Sequence, residues 1–260
     1  MENRDHNAVL RQFSQNAIDY RESPLFAEGE DLRKMTESVT LIGTEHVLDI
    51  GTGAGHTALA FSFFVAECTG MDVTDGMVQV ATQLAVERGV RNVLFQVGDA
   101  ENIPFASASF DMVTCRFASH HFGDINKAIQ EISRVLKPGG IFILVDHYSP
   151  ESDELDSFVN RLDQMRDPSH VREYRLSEYK RWLEDSAMDY RALSTWDLTL
   201  DFHNWIERAR TPVLMQAKLV AHLQGATDLC KDVFHIQWNE DGMPRSFCLK
   251  CAMIHGVKQR

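Results

Sequence analysis

The chain has 260 residues, 44% of them hydrophobic and 25% charged, which is typical of one large globular domain or of a domain with a sizeable insertion. The formal net charge of −12 and the lack of any run rich in lysine and arginine argue against nucleic acid, because proteins that grip its backbone need a basic face. No apolar run approaches the length of a membrane span and the polar N-terminus has no signal-peptide pattern, so we predict a cytoplasmic protein.

The first 149 residues divide into two parts. Residues 1–45 have the spacing of amphipathic helices, interrupted at Pro24. Residues 46–149 alternate short apolar segments with helical patterns. The apolar segments that we predict as strands end at Ile50, Asp72, Val97, Cys115 and Val145. Strands separated by helices predict a parallel sheet covered on both faces, so the fold class is α/β, doubly wound and Rossmann-like.

The alternation stops after residue 149. We predict that residues 150–228 are a mainly helical insertion packed over the ligand-bearing edge of the sheet, and that residues 229–260 are a hairpin of Val233–Trp238 with Ser246–Val257. The hairpin adds an antiparallel strand and brings the sheet to seven strands. Cys248 and Cys251 form a C-x-x-C pair, but a zinc site needs two more ligands at similar spacing. No such ligands are evident, and we predict no metal site.

The stretch VLDIGTGAGHTAL is an apolar strand that runs into a glycine-rich turn and then into a helix. Glycine lets a backbone approach a ligand closely, and a helix start offers unpaired N–H groups. The turn has Gly51, Gly53 and Gly55, and His56 stands where the G-x-G-x-x-G fingerprint of nicotinamide binders needs its third glycine. No G-K-[ST] follows, which excludes a Walker-type phosphate loop.

Three acids accompany the glycine turn. Asp49 precedes the first glycine by two residues, Asp72 closes the second predicted strand, and Asp99 follows the third. An acid in the turn repels a diphosphate but suits a cationic headgroup. Carboxylates at the ends of successive parallel strands line a crevice at one edge of the sheet, where open α/β sheets bind their ligands.

Five stretches in this order resemble the motifs of class I S-adenosylmethionine-dependent methyltransferases. They are VLDIGTGAGHTA, GMDVTDGMVQVA, VGDAENIPF, SFDMVTCRFASHHF and EISRVLKPGG, all within residues 46–146. Within this family the chain is most similar to the UbiE-type group of ubiquinone and menaquinone C-methyltransferases and to bacterial members of that group with no assigned substrate. The resemblance implies S-adenosylmethionine as the cofactor and a Rossmann-like core whose last strand is reversed.

The resemblance also implies the residues that bind the cofactor. Asp72 takes the ribose hydroxyls, Asp99 and the Ala100 N–H read the adenine edge, and the helical N-terminus forms a lid to which Tyr20 belongs. The full implied set is Tyr20, Asp49, Gly51, Thr52, Gly53, Asp72, Val73, Asp99, Ala100 and Arg116. The alternative interpretations are a helix-capping role for Asp72, a turn-forming role for Asp99 and ordinary helix packing for Tyr20.

The candidate catalytic residues follow predicted strands four and five. They are His121, in FASHHF, and His147 and Tyr148, in LVDHYSP. Histidine titrates near neutrality and therefore suits the deprotonation of a phenol or quinol. A purely structural role remains the alternative for each of the three. His170, in the insertion, is a further candidate for the same pocket.

The acceptor that we predict is a small apolar or aromatic molecule, because the insertion is rich in aromatic residues. No N-P-P-[YFW] motif or P-C pair marks a nucleic-acid methylase. We favour C-methylation of a quinol-like compound over O- or N-methylation of another small molecule. A non-catalytic cofactor-binding protein and a nicotinamide oxidoreductase, which His56 disfavours, are the further alternatives. No oligomeric state is predicted.

Overall fold

One mixed sheet organises the part of the chain that the computed structural model describes, namely residues 27–260 together with Val9 and Arg21. Its eight strands are β1 (His46–Ile50), β2 (Glu67–Asp72), β3 (Val93–Val97), β4 (Phe110–Arg116), β5 (Leu136–His147), β6 (Met188–Asp201), β7 (Gln237–Trp238) and β8 (Pro244–Lys258). The order across the sheet is β3-β2-β1-β4-β5-β8-β6, and β7 pairs with β8 beside this row. Strands β1 to β5 are parallel, whereas β8 is antiparallel to β5, β6 and β7. The predicted α/β fold class is confirmed.

Helices pack against the sheet and against one another. The nine α-helices of the described residues are α1 (Glu30–Glu37), α2 (His56–Phe61), α3 (Asp75–Glu87), α4 (Ile125–Val135), α5 (Asp153–Arg166), α6 (Leu176–Asp185), α7 (Phe202–Arg208), α8 (Val213–Gln224) and α9 (Asp228–Val233). A short 3-10 turn, Ser119–His121, follows β4. In the described part of the chain, no helix combines the length and hydrophobicity that crossing a membrane requires.

The two faces of the sheet carry separate hydrophobic cores, because successive residues of a strand point to opposite faces. On β1, Leu48 packs with α4 and α6, and its neighbour Val47 packs with α1, α2 and α3. On β4, Val113 packs in the same core as Leu48, and Met112 packs in the same core as Val47. Each fully buried side chain of this size stabilises the fold by roughly 1.5–3 kcal/mol, so the two-sided burial holds the carboxyl ends of the strands in fixed positions.

A third core lies away from the parallel strands. Phe158, Trp205, Leu219 and Phe247 pack together there, joining α5, α7 and α8 to β8. Most of the buried residues of this core come from the predicted helical insertion. The insertion is therefore anchored on the antiparallel end of the sheet, beside the strands that carry the candidate catalytic residues.

Two elements differ from the prediction. Residues 188–201 form strand β6, which pairs along its length with β8, although the sequence placed them inside a helical insertion. Residues 228–233 form helix α9, so Val233, predicted as the first residue of the hairpin strand, is helical; Thr227 caps this helix by accepting a hydrogen bond from the Cys230 N–H. Only Gln237–Trp238 pairs with β8 as the hairpin predicted. The division of the chain at residues 45, 149 and 228 stays a prediction.

Candidate active site

The glycine turn after β1 has a backbone that only glycine adopts without strain. Gly51, Gly53 and Gly55 have φ values of +62°, +52° and +85°. A Cβ added to Gly51 would lie 2.4 Å from Cβ of Ala118, in the turn after β4, whereas a Cβ added to Gly53 would meet nothing within 4 Å. The turn is thus packed tightly on one side and open to a cleft on the other.

Asp49 supports this turn from below. It is buried, and its carboxylate accepts hydrogen bonds from Thr52 Oγ1 at 2.6 Å and Thr114 Oγ1 at 2.8 Å. Burial raises the pKa of Asp49 to about 6, against the lowering effect of these two hydroxyl groups. Asp49 is not among the residues that line the cleft. These two hydrogen bonds connect β1 to the glycine turn and to β4.

Asp72, at the end of β2, forms one wall of the cleft. Its Oδ2 accepts from the Gly53 N–H and its Oδ1 from the Thr74 N–H, both at 2.9 Å, so the carboxylate also holds the glycine turn. Burial raises the pKa of Asp72. Asp99 follows β3, and its Oδ1 accepts from the Glu101 N–H at 2.8 Å.

The cleft has a volume of about 1050 Å³, including its open mouth. Eight of the residues predicted to bind the cofactor line it, namely Gly51, Thr52, Gly53, Asp72, Val73, Asp99, Ala100 and Arg116. Tyr20 lies outside the described residues. Residues that the prediction missed also line the cleft, including His56, Met77, Glu101, Phe117 and Phe122. A cleft with three carboxylates, Asp72, Asp99 and Glu101, and an open glycine turn fits S-adenosylmethionine, whose ammonium, ribose hydroxyls and adenine amine are all donors.

Arg116 joins the cleft to the N-terminal part of the chain. Its guanidinium forms a buried ion pair with Asp31 on α1 and lies 5.2 Å from the ring centroid of Phe117. Val9 lines the cleft, and His56 Nε2 hydrogen-bonds to the carbonyl oxygen of Arg21 at 3.1 Å. The described residues before β1 therefore contact the cleft at three points.

A second cavity of about 600 Å³ adjoins the cleft, and Phe117 and His121 line both. Its polar lining consists of His120, His121, His147, His170, Asp163, Asp167, Arg166 and Arg208. Leu198, Leu200, Trp205 and Leu249 supply apolar walls. His121 and His147, predicted as catalytic, are thus brought together. Tyr148 lines neither cavity, since its ring packs against the core beside α6.

Asp146, at the end of β5, fixes one side of the second cavity. Its carboxylate accepts from Ser119 Oγ at 2.5 Å, from the His147 N–H at 2.8 Å and from His120 Nδ1 at 2.7 Å. Burial opposes the ionised form of Asp146, but His120 outweighs it and holds the pKa of Asp146 well below its usual range. Burial likewise opposes the charged form of His120, yet Asp146 raises the pKa of His120.

The other three histidines of the second cavity stay neutral near pH 7. Burial, with the charge on His120 as a further cause, lowers the pKa of His121 to about 4 and those of His147 and His170 to about 3. His121 Nδ1 lies 3.0 Å from the carbonyl oxygen of Ser169 and donates to it. The neutral ring then carries its basic lone pair on Nε2.

The acids of the second cavity were missed because no motif contains them. Asp163 lies on α5 and Asp167 just after it, and both line the cavity; Glu173 does not line it but is fully buried beside Asp163 in the following loop. Burial raises the pKa of Glu173 well above its usual value, and Asp163 adds to the shift. The signal that could have found them is a polar stripe at helical spacing, Asp156, Asn160, Asp163 and Asp167, since all four side chains are buried.

Comparison with known proteins identifies the family. Residues 48–144 match the model of a methyltransferase domain. The chain is 49% identical over 247 residues to a Bacillus subtilis protein named as the uncharacterized methyltransferase YcgJ, covering 95% of this chain and 98% of that one. A match to the demethylmenaquinone methyltransferase of Thermus thermophilus is 35% identical over 131 residues, which are 48% of this chain and 59% of that enzyme.

Two solved structures are similar over most of their length. The crystal structure of Bacillus subtilis YcgJ has a TM-score of 0.87 at 48% identity and covers 88% of this chain and 98% of its own. A putative methyltransferase from Bacillus halodurans has a TM-score of 0.86 at 34% identity and covers 89% and 100%. With the cleft and its glycine turn, these similarities show that the chain belongs to the S-adenosylmethionine-dependent methyltransferases.

Proposed function

We propose that this methyltransferase methylates a small acceptor bound in the second cavity. The observation that carries the proposal is the shared wall of the two cavities, formed by Phe117 and His121. Methyl transfer is an in-line displacement, so acceptor and cofactor must meet end to end within a few ångströms. A cofactor in the cleft and an acceptor in the adjoining cavity satisfy that requirement.

In this proposal the cleft residues bind and orient the cofactor. Asp72 accepts from the ribose hydroxyls, Asp99 and the Ala100 N–H contact the adenine edge, and the open backbone at Gly53 accommodates the methionyl part. S-adenosylmethionine, when bound, supplies a methyl group on a sulfonium centre. The predicted lid role of residues 1–45 stays part of this proposal, and two described residues support it: Val9 lines the cleft, and the Arg21 carbonyl oxygen bonds to His56, which lines it.

His121 orients the acceptor in this proposal. Its Nδ1–H donates to the carbonyl oxygen of Ser169, so Nε2 is the ring nitrogen that can accept a hydrogen bond in the neutral form. An acceptor hydroxyl that donates to Nε2 is positioned between the two cavities. His147 lines the second cavity only, and we assign it to the acceptor side. For Tyr148 we propose no role in the chemistry, because the ring packs into the core.

We propose a quinol-like aromatic ring as the acceptor and carbon as the methylated atom. The relative named as a demethylmenaquinone methyltransferase supports this substrate class, and Trp205 and the leucine side chains of the second cavity supply apolar walls for a ring. The charged lining supports a second candidate, O- or N-methylation of a more polar molecule. The net charge of −12 supports a partner other than nucleic acid, and five buried free cysteines support a reducing, cytoplasmic setting.

Methyl-labelled S-adenosylmethionine tests the acceptor. The protein is incubated with three acceptor classes, namely reduced naphthoquinones with an unmethylated ring carbon, catechols and phenols, and small primary amines. We expect label on the ring carbon of the naphthoquinol, identified by mass spectrometry and NMR. His121→Phe should lose at least about tenfold in kcat/KM, whereas Tyr148→Phe should retain activity.

The other outcomes have equally definite meanings. Label on oxygen or nitrogen alone contradicts C-methylation and supports the second candidate. S-adenosylhomocysteine binding without transfer to any class of acceptor supports the non-catalytic alternative instead. Equal loss in the His121 and Tyr148 variants contradicts the placement of the acceptor at the shared wall.

A further inference from the structure

Glu173 has a buried carboxyl group with no nitrogen or hydroxyl donor beside it. The side chain is fully buried, and neither Oε1 nor Oε2 has a donor within hydrogen-bonding geometry. A carboxylate oxygen of Asp163 lies within 4.8 Å of the Glu173 carboxyl group, and two buried carboxyl groups side by side need a proton or a cation between them, so the pair needs an explanation. The proposed methyl transfer assigns it no role.

Two further ligand-type atoms face the same point. His147 Nδ1 lies 3.6 Å from Glu173 Oε1, and a carboxylate oxygen of Asp163 lies with both of them in a group whose members are all within 4.8 Å of one another. Asp163 and His147 also line the second cavity. Ligands bonded to one tetrahedral ion at about 2.1 Å are separated by about 3.4 Å, so the observed spacing is close to that of a ligand set.

A neighbouring group provides a contrast. His120, Asp146 and His147 also cluster within the same limit, but the Asp146 carboxylate is satisfied by Ser119, His120 and the His147 N–H. That cluster is a complete hydrogen-bond network. The group around Glu173 instead combines one imidazole with two carboxylates and lacks donors for Glu173.

Arg166, a cation lining the same cavity, is engaged elsewhere. Its Nε donates to the carbonyl oxygen of Trp205 at 3.1 Å, and its guanidinium lies 5.1 Å from the Trp205 ring centroid. A dication bound between Asp163 and Glu173 would neutralise both carboxylates and take the place of a proton shared between them.

We propose that His147, Asp163 and Glu173 bind one divalent first-row transition-metal ion in the wall of the second cavity. One imidazole and two carboxylates suit Zn²⁺ or Mn²⁺ better than Ca²⁺ or Mg²⁺, which prefer oxygen ligands alone. Three protein ligands leave at least one coordination position for a ligand from the cavity, as in catalytic metal sites. The proposed ligands come from β5, α5 and a loop, so no sequence motif contains them.

The test measures metal directly and does not depend on methyl transfer. The full chain is stripped with a chelator and titrated with MnCl₂ by EPR and with ZnCl₂ by calorimetry, with bound metal counted by mass spectrometry. We expect one tight site per chain in the wild type. Glu173→Gln, Asp163→Asn and His147→Gln should each weaken binding by about 100-fold or more.

His222→Gln is the matched control. His222 is a partly buried histidine on α8 whose Nε2 bonds to the Phe158 carbonyl oxygen, outside the second cavity, and its loss should leave the metal affinity unchanged. A wild-type chain that binds neither ion overturns the proposal, as does binding that survives all three ligand substitutions. The wild-type titration alone decides whether a metal site exists, so the proposal can be overturned even if one of the variants fails to fold. S-adenosylhomocysteine binding should persist after chelation, which separates this proposal from the proposed methyl transfer.

Discussion

At the residue scale, the Asp72 carboxylate both lines the cleft and holds the glycine turn in place. The sequence allowed either a ribose-binding acid or a helix cap, and in the structure Asp72 lines the cleft while it accepts the Gly53 and Thr74 N–H groups. The strand-end position of such acids is predictable, because apolar strands are easy to identify. Glu173 was not, because its position depends on a loop between two helices of the insertion.

Replacing Asp72 should weaken cofactor binding. Asp72→Ala removes an acceptor from the cleft and leaves two backbone N–H groups of the turn unpaired, so we expect S-adenosylhomocysteine affinity to fall by at least ~1 kcal/mol, or about fivefold, in a calorimetric titration. Asp75→Ala is the control, since Asp75 is an exposed acid three residues away that does not line the cleft. Equal affinities in the wild type and Asp72→Ala would rule out the ribose assignment.

At the element scale, β6 shows what residue periodicity fails to predict: the segment was expected within a helical insertion, and it forms a strand. MDYRALSTWDLTLD contains Tyr190, Trp196 and Leu198 at even spacing, the alternation of a strand, but its many polar residues and its position among helical patterns concealed it. Its partner β8 lies more than 40 residues further along the chain. Pairing over that distance is a tertiary property, and a local pattern alone does not specify it.

The two turns after β1 and β4 should be coupled sterically. Gly51→Ala places a Cβ 2.4 Å from that of Ala118 and also strains a positive φ, whereas Gly53→Ala at φ +52° has only the strain. We expect Gly53→Ala to cost about 1 kcal/mol of unfolding free energy and Gly51→Ala about 1–3 kcal/mol more. Ala118→Gly should recover part of the loss in Gly51→Ala and none in Gly53→Ala, as measured by urea unfolding in a double-mutant cycle. Strict additivity in both pairs would contradict the contact.

At the whole-molecule scale, the three cores of the described residues share one sheet, and this explains how much the sequence could predict. Apolar alternation identified β1 to β5 and the helices between them, and these elements form the cofactor cleft. The second cavity needs β5, β6, β8, α5 and α7 together. Its residues are contributed by both the parallel and antiparallel ends of the sheet, so their proximity follows from the assembled fold.

Acid should destabilise the whole fold partly through His255. This residue of β8 hydrogen-bonds through Nε2 with Ser38 Oγ, and burial, then the charge of Arg191, lowers its pKa to about 4 from an unfolded value near 6.5. Between about pH 4 and pH 6.5, His255 is therefore protonated in the unfolded chain but neutral in the folded chain. The stability contribution is complete above about pH 6.5 and is lost as the pH falls towards 4.

His255→Gln should therefore lose less stability on acidification. After a discount for partial solvent screening, we expect its unfolding free energy to fall by about 1–2 kcal/mol less than that of the wild type between pH 7 and pH 4.5. Urea unfolding at the two pH values measures the difference, and the glutamine retains a polar group near Ser38. The same decrease in both proteins would show that His255 is not a source of the acid sensitivity.

The place of β8 in the sheet has a consequence for synthesis on the ribosome. β8 lies between β5 and β6, yet it follows both in the chain. A nascent chain that has reached residue 201 contains β6 but no strand for it to pair with, and β5 has one open edge until residue 244 and beyond are made. The unpaired N–H and C=O groups along an open strand edge can pair with strands of other chains, which promotes aggregation. Expression conditions that slow translation between residues 201 and 244 should therefore favour aggregation, and ribosome-associated chaperones should be most needed in that interval.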